Sequence, residues 1–535
     1  MKRRSELFSG VLFLLSAALF VLSQPSFLSE DGLSFLAWLS YVPFFLLVGR
    51  LSVKKSFLWG AAHGALSYFC LCWWVSAFGA AALSFVCALL AFYTAAMFFL
   101  ISFSDYIFPL RLARFFWIFR ALIVLSVEFL RSRGVLGFSY GIIGYSQWRN
   151  PALLRLSSFF GVMGVTCLIL LTSSFVAKII SDRNLRGNLR GIIVFALVFA
   201  GILISHRFAG SRSPKKIART FPVALIQNAS SAKSSGIDDY ERDVIVLKRL
   251  SDEALLQNPG TALVVWPETA VVPDIILHSG NEEDGSRHEL AESLTAYFKS
   301  RGSAFLIGNN HLDAAGEHNS ALYFPAGSGN VSVYNKIHLV PFAEFWPAFL
   351  DFGMFDRIKS SIGCDFFVAG EEVRVFELDG LRFGTPICFE DSFPDLLGQM
   401  RRMGASFFVN ISDDAWAMSC AAQKMHLTMS VFRCAEFRTP MVRSAVDGKT
   451  CVIDSDGKIL SSIESGEDAF LCWELDVPEE SFSLYFLIGD APARLIVLFV
   501  LSFLLILSVR FAKVKVYGGR KAEEKPHRFR SGDRI

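Results

Sequence analysis

The chain has 535 residues, of which 53% are hydrophobic, and its mean hydropathy is +0.43. A composition this apolar excludes a wholly soluble enzyme and indicates a membrane protein with a soluble part. The net charge of +3 is close to neutral, so we expect no nucleic-acid partner.

Eight apolar runs predict a multi-pass α-helical membrane bundle. Several contain roughly 16–25 residues, enough to cross a hydrocarbon layer of about 30 Å. Buried helices of a large soluble core could imitate one or two such runs, but seven in series favour membrane spans. The runs are about 7–22, 33–49, 56–74, 80–104, 115–130, 156–179, 189–206 and 495–509.

Lysine and arginine mark the loops on one side of these spans, which the positive-inside rule assigns to the cytoplasm. The start of the chain, the loops after the second, fourth and sixth spans, and the end of the chain are positive. Both termini are therefore predicted to be cytoplasmic. Four arginines on the other side are either tolerated noise or a site for anionic lipid phosphate: Arg131, Arg133, Arg149 and Arg155.

From about Pro222, short β-rich strings alternate with polar helical stretches. This alternation predicts one layered α/β domain, and the seven preceding spans place it outside the cytoplasm. The predicted division is a membrane bundle over 1–215, a soluble domain over 216–480, a membrane helix over 481–515 and a disordered basic cytoplasmic tail over 516–535.

The ten cysteines do not show the spacing of a zinc or redox site. Four lie in apolar runs, and the other six lie in the polar half without a CxxC pair. The sequence also lacks a Walker A or dinucleotide fingerprint. We therefore expect no metal and no cofactor, and any disulfide pairing among the six cysteines stays open.

The stretch Leu381–Asp391 is the first candidate for chemistry. It is predicted to be a short strand that ends at Cys388, followed by two acids and a helix start. A thiol at the positive end of a helix dipole is expected to favour the thiolate. A single cysteine in such a place is more often a packed apolar side chain, so this stretch alone does not establish catalysis.

Two further stretches supply a carboxylate and an amine. The first, 264–269, is an apolar strand that delivers Glu268 after a proline, and burial is expected to raise the pKa of this carboxyl. The second, 334–345, carries Lys336 and, eight residues later, Glu344. Nucleophilic acyl transfer needs a nucleophile, a proton carrier and an oxyanion donor, and a thiol, a carboxylate and an amine supply them.

Glu268, Lys336 and Cys388, in this order, resemble the triad of the nitrilase (carbon–nitrogen hydrolase) superfamily. The surrounding words WPE, YNKIHLVPFAEF and ICFE resemble the apolipoprotein N-acyltransferase family. The resemblance implies an α-β-β-α sandwich. It also implies a ping-pong reaction with Cys388 as nucleophile, Glu268 as general base and Lys336 as oxyanion donor, aided by the N–H that follows Cys388.

Other residues match or depart from the family pattern. Glu344 and Glu390 match it, which implies supporting roles, although a surface salt bridge remains open for Glu344. Phe389 stands where the family commonly has tyrosine, and Asp413 replaces a usual asparagine. Ala417 begins a pair that replaces an aromatic–glycine pair, so these departures bear on substrate entry and acyl preference.

Three residues are candidates for substrate binding by the same resemblance. Trp416 is either a wall for the acyl chain or a buried core tryptophan. Tyr145 and Arg131 lie in the connection between the fifth and sixth spans, where a role toward lipid competes with ordinary packing at the rim of a bundle.

The resemblance implies a phospholipid as acyl donor and diacylglyceryl-modified apolipoproteins as acceptors. It further implies a monomer in the bacterial inner membrane with its catalytic domain in the periplasm. One rival is a membrane-tethered amidase or nitrilase that transfers to water. Another is a transporter or anchor that carries a non-catalytic nitrilase-like domain.

Overall fold

The computed structural model describes residues 2–210, 216–229, 237–348, 353, 367–417, 419–479 and 482–518. Its first part is a helical bundle that coincides with the first seven predicted runs. Inside a bilayer no water can pair with the backbone, so apolar runs form helices that satisfy it internally. The helices are α1 (Lys2–Ser23), α2 (Ala37–Val48), α3 (Val53–Cys72), α4 (Ala80–Ile107), α5 (Phe116–Arg131), α6 (Pro151–Asp182) and α7 (Leu185–Gly210).

The helices differ in how well they suit a membrane span. Within the described ranges, α1, α4, α6, α7 and a helix at the C-terminal end are long and apolar enough to cross a bilayer. Helices α2 and α5, with 12 and 16 residues, are shorter than the roughly 20 residues that a perpendicular span needs. The helical bundle is confirmed, whereas the number of eight spans stays a prediction.

The soluble part contains two six-stranded sheets. The strands are β1 (Ile217–Gln227), β2 (Leu263–Val265), β3 (Ala304–Asp313), β4 (Gly316–Phe324), β5 (Ser332–Asn335), β6 (Val375–Leu378), β7 (Leu381–Gly384), β8 (Ala405–Asp413), β9 (Met441–Val446), β10 (Cys451–Ile453), β11 (Ile459–Ser462) and β12 (Ala469–Pro478). The strand orders are β12-β1-β2-β3-β4-β5 in one sheet and β11-β10-β9-β8-β7-β6 in the other. Strands β1, β2 and β3 are parallel, as are β7, β8 and β9.

The two sheets pack face to face with helices outside them, which confirms the α-β-β-α sandwich. In β1, Val223 and Leu225 point into the core between the sheets, whereas Ala224 and Ile226 pack against helices, as the period of two in a strand requires. The helices of the domain are α8 (Ile237–Gln257), α9 (Ile275–Ser279), α10 (Ser286–Lys299), α11 (Pro394–Arg402) and α12 (Cys420–Phe437). Two helices follow the domain, α13 (Leu484–Ile488) and α14 (Ala491–Gly518).

Helix α6 joins the bundle to the soluble domain at a kink. Gly161 has φ +65°, and a Cβ there would lie 2.5 Å from the ring of Tyr485, so glycine permits the close approach. The kink interrupts the helical ladder, and the amide of Val162 donates instead to Glu436 Oε1 at 2.7 Å. A side chain of α12 thereby satisfies a backbone group of the membrane helix.

The soluble domain rests on the loops that follow α1, α3 and α5. Lys424 on α12 pairs with Glu30 and Asp31, each at 3.0 Å, and Trp416 packs on Trp74. These loops alternate along the chain with the positively charged loops that follow α2, α4 and α6. Helix α14 ends at Gly518, and the predicted disordered tail beyond it lies outside the described residues.

Candidate active site

The three residues of the predicted triad converge at one end of the sandwich. Glu268 follows β2, Lys336 follows β5 and Cys388 follows β7, and all three are buried. The Lys336 Nζ donates to Glu268 Oε1 at 2.9 Å, and the charge of Glu268 acts on the Cys388 thiol, whose pKa it raises. Residues separated by about 120 positions are therefore joined through a single carboxylate.

Cys388 occupies a strained turn between a strand segment and a helix. Its φ is +51°, a left-handed conformation that a residue with a side chain rarely adopts. The preceding residue, Ile387, bridges to Ile411 of the neighbouring strand, and a 3₁₀ helix begins at Cys388 itself. The Asn410 Nδ2 donates to the carbonyl of Pro386 at 3.0 Å, which fixes the backbone directly before the turn.

Glu268 is fixed by donors from both sheets. Besides Lys336, its Oε1 accepts Asn319 Nδ2 at 2.7 Å, and its Oε2 accepts the amide of Asp413 at 2.7 Å. Burial acts to raise its pKa, but Lys336 and the hydrogen bonds outweigh burial and lower the pKa of Glu268 below its usual range. The expectation that burial would raise this pKa is therefore wrong.

Lys336 lies between two carboxylates. Its Nζ also donates to Glu344 Oε1 at 2.8 Å, and Glu344 in turn accepts Asn319 Nδ2 at 2.9 Å and the amide of Val340 at 2.7 Å. Burial disfavours the ammonium, yet Glu268 and Glu344 hold the pKa of Lys336 well above its usual range. Glu344 therefore lies inside the site and not on a surface salt bridge.

The thiol of Cys388 is protonated in the resting site. Burial and the neighbouring charge of Glu268 raise the pKa of Cys388 well above its usual value, and Lys336 offsets only part of this. The predicted preference for thiolate is therefore wrong for the resting site. The arrangement suits proton transfer from the thiol to Glu268 as the thiol attacks, because both groups line the same cavity and interact electrostatically.

The buried Glu390 carboxyl binds backbone amides next to both Lys336 and Cys388. Its Oε1 accepts the amide of Ile337 at 2.7 Å and that of His338 at 3.1 Å, and its Oε2 accepts the amide of Ile387 at 2.8 Å. The hydroxyl of Tyr334 donates to both oxygens at 3.0 Å. Burial raises the pKa of Glu390 to about 7, although the backbone donors act in the opposite direction.

A cavity of about 240 Å³ contains the triad. Phe389 and Trp416 line it, and Phe389 stacks on Tyr140 with ring centroids 6.4 Å apart. One wall comes from the membrane half: the loops after α3 and α5 and one face of α4. The residues of that α4 face are Ala82, Phe85, Val86 and Leu89.

Comparison with known proteins identifies the family. The carbon-nitrogen hydrolase model matches residues 222–479, and the model of the apolipoprotein N-acyltransferase N-terminal domain matches residues 16–175. Apolipoprotein N-acyltransferase 1 of Treponema denticola is 32% identical over 508 residues, covering 90% of this chain and 92% of that protein. Its namesake from Treponema pallidum is 35% identical over 518 residues, covering 91% and 93%. The chain belongs to the apolipoprotein N-acyltransferase family.

Nit3 of Saccharomyces cerevisiae, a member of the nitrilase superfamily, is 18% identical with a TM-score of 0.37 and covers 50% of this chain and 93% of that one.

Two candidates for substrate binding lie away from the cavity lining of this acyltransferase. Tyr145 is buried against Phe432, and Arg433 donates to its hydroxyl at 3.5 Å. Arg131 is buried in a bidentate pair with Glu128, and its Nη1 donates to the carbonyls of Phe138 and Tyr140 at 2.7 and 3.0 Å. Arg131 thus holds the loop that lines the cavity and does not itself face the substrate space.

The sequence interpretation missed a polar network behind the acyltransferase site. Arg443 donates to Asn410 Oδ1 at 2.6 Å and to Asp414 Oδ2 at 2.8 Å, and His426 lies 3.0 Å from Asp414 Oδ1 and 3.2 Å from Asp391 Oδ1. All of these groups are buried. Asn319 was also missed. These residues could have been found from the sequence as polar side chains on strands and helices that are otherwise apolar.

Proposed function

We propose that this acyltransferase moves an acyl chain from a phospholipid to Cys388 and then to the α-amino group of the N-terminal diacylglyceryl-cysteine of lipoproteins. The observation that carries the proposal is the composition of the cavity. The reactive thiol shares one space with an apolar wall built from membrane helices and their loops. A site for a small soluble amide would not need such a wall.

In the first half-reaction, the Cys388 sulfur attacks the ester carbonyl of the phospholipid. Glu268 takes the thiol proton and passes it to the leaving alkoxide, so a C–S bond forms, a C–O bond breaks and a lysophospholipid departs. The ammonium of Lys336 stabilises the oxyanion, together with the amide of Phe389, which lies in the first turn of the 3₁₀ helix.

In the second half-reaction, the α-amine attacks the thioester, a C–N bond forms and the C–S bond breaks. Glu268 takes a proton from the attacking nitrogen and returns it to the Cys388 sulfur, which restores the thiol. Glu344 holds Lys336 in place through both steps by its 2.8 Å contact. The ordered sequence of two transfers gives ping-pong kinetics.

A membrane-bound donor explains why the catalytic domain is fused to a helical bundle. Each buried CH₂ group is worth about 0.8 kcal/mol, so a lipid with two long chains would leave the bilayer only at a large cost. We infer that the enzyme resides in the bacterial inner membrane as a monomer, with both termini cytoplasmic and the domain in the periplasm. The charge distribution of the loops supports this orientation.

Mass spectrometry of Cys388 tests the proposal. The full-length protein, incubated with phosphatidylethanolamine vesicles, is expected to carry one acyl group on Cys388 that hydroxylamine removes, and a diacylglyceryl-cysteinyl peptide is expected to take it over. Cys388→Ala should carry none, and Glu268→Gln should be acylated far more slowly. A protein that stays unlabelled, or that releases fatty acid to water at the same rate with and without the peptide, would instead support a hydrolase.

A further inference from the structure

Asp413 brings an additional carboxyl to the active site. It is the last residue of β8, it lines the cavity, and its own amide donates to Glu268 Oε2 at 2.7 Å. Its Oδ1 accepts the amide of Ala415 at 2.9 Å, and no donor from the described residues reaches its Oδ2.

The proton count of the two half-reactions differs. The first half-reaction releases no proton, because the thiol proton leaves with the alcohol of the lysophospholipid. An α-amino group has a pKa of about 8 and therefore arrives largely as an ammonium at pH 7. An ammonium that becomes an amide loses two protons, and only one returns to the Cys388 sulfur. The second half-reaction therefore needs an acceptor for one more proton.

The other carboxylates of the site are already occupied by donors. Glu344 accepts three hydrogen bonds and Glu390 accepts amides and a hydroxyl on both oxygens. Asp414 is paired with Arg443 and His426. Glu268 is engaged with the proton that returns to sulfur. Of the carboxyls that line the cavity in the described ranges, Asp413 keeps an oxygen without a donor.

The acidity of Asp413 suits an exchange with an amine. Burial and the charge of Glu268 raise the pKa of Asp413 to about 7. Proton transfer from an α-ammonium is then only about tenfold uphill, whereas an unperturbed aspartic acid would make it about ten-thousandfold uphill. The ionisable groups that face Asp413 or lie behind it are Glu268, Lys336, Cys388, Asp414 and His426.

We propose that the Asp413 carboxylate binds the α-ammonium group of the incoming lipoprotein and takes its first proton, which frees the nitrogen lone pair for attack on the Cys388 thioester. The second proton follows through Glu268 to the sulfur, and Asp413 releases its proton to solvent when the amide product leaves. This step rests on the proposed function and assigns its acceptor subsite.

The test separates the two half-reactions in the full-length protein. Cys388 is acylated from phosphatidylethanolamine vesicles, a synthetic diacylglyceryl-cysteinyl peptide is added, and loss of the acyl group is followed by mass spectrometry between pH 6 and 9. Asp413→Asn keeps the shape of the side chain and removes its charge. Asp447→Asn is the matched control, because Asp447 follows the next strand, β9, and does not line the cavity.

Starting from fully acylated protein, so that the rate of acylation does not enter, Asp413→Asn should transfer about tenfold more slowly at pH 7, since about one α-amine in ten is then uncharged. The deficit should vanish near pH 9, and also with hydroxylamine, which is uncharged at pH 7. Equal transfer by both proteins at pH 7 would overturn the proposal, as would a deficit that persists at pH 9 or with hydroxylamine. If the unmodified protein forms no thioester, or the peptide does not discharge it, the proposed function itself fails.

Discussion

The carboxylate of Glu390 and the amide of Ile337 form a hydrogen bond of 2.7 Å, which sets the position of the residue that directly follows Lys336. The other oxygen of the same carboxylate accepts the amide of Ile387, the residue directly before Cys388, at 2.8 Å. One buried side chain thus fixes the distance between the oxyanion donor and the nucleophile. A preorganised donor of this kind needs no rearrangement when charge develops.

Glu390→Gln should therefore slow thioester formation. Glutamine has the same size, but its NH₂ group would face a backbone N–H, so at least one buried amide loses its acceptor at a cost of about 1–3 kcal/mol. We expect acylation of Cys388 to fall by about 10² if the oxyanion donor is displaced. The control is Glu377→Gln, because the Glu377 side chain is exposed on β6. Unchanged acylation in Glu390→Gln would contradict the positioning role.

Gly308→Ala should disturb the general base. A Cβ at this position of β3 would lie 2.4 Å from the carbonyl oxygen of Pro267 and 2.5 Å from the Cα of Glu268. Both atoms are backbone, so the turn that carries the carboxylate must move. We expect slower acylation with a folded domain, measured by mass spectrometry and circular dichroism. Gly302→Ala, with no neighbour within 4 Å, should behave like the unmodified protein.

The sequence predicts local features better than it predicts their environment. The alternation of strands and helices predicted from about Pro222 onward is observed from β1 to β12, because it depends on local residues. The pairing of β1 with β12 joins strands about 250 residues apart, and no local pattern contains it. The acidity of Glu268 was predicted in the wrong direction, because it depends on Lys336 and Asn319, which reach it only in the folded chain.

Arg131 shows the same limit in the membrane half. A positive charge on the outer side of the bundle suggests a contact with lipid phosphate. In the structure its guanidinium is buried, and it is saturated by Glu128 and by two carbonyls of the following loop. The sequence shows the charge but not its partners. Arg433 and Glu436 on α12 are a comparable pair, buried where the soluble domain meets α6.

His426 should make stability depend on pH above neutrality. Burial disfavours its charged form, but Asp391 and Asp414 raise the pKa of His426 to about 9, against 6.5 for a free imidazole. The contribution of protonated His426 to the free energy of unfolding is therefore complete below about pH 6.5 and is lost as the pH rises toward 9. Between pH 7 and 8.5 the loss is about 2 kcal/mol, at 1.36 kcal/mol per unit.

Thermal unfolding in detergent at several pH values measures this loss. Asp413 and Glu390 also have raised pKa values, of about 7, but their contributions are lost at lower pH, as the pH rises from about 4 to 7. The decline above pH 7 should accordingly disappear in His426→Gln, which carries no titratable group. A decline of the same size in that variant would assign it to another residue.

Ala82→Phe should change the acyl chain that the enzyme accepts. Ala82 lies on the face of α4 that lines the cavity, with Phe85, Val86 and Leu89 at helical spacing. An aromatic ring there would occupy space that we assign to the acyl chain. With vesicles that contain a mixture of short and long acyl chains, the mass found on Cys388 should shift toward the shorter chains.

The neighbouring residue provides the matched control, because Ala81 is exposed on the same helix and does not line the cavity. Ala81→Phe adds the same ring to the same turn, so it reports any general effect on the helix or on membrane insertion. If both variants select the same chains as the unmodified protein, the acyl chain does not lie along α4. If only Ala82→Phe selects shorter chains, this face of α4 limits the length of the acyl chain that reaches Cys388.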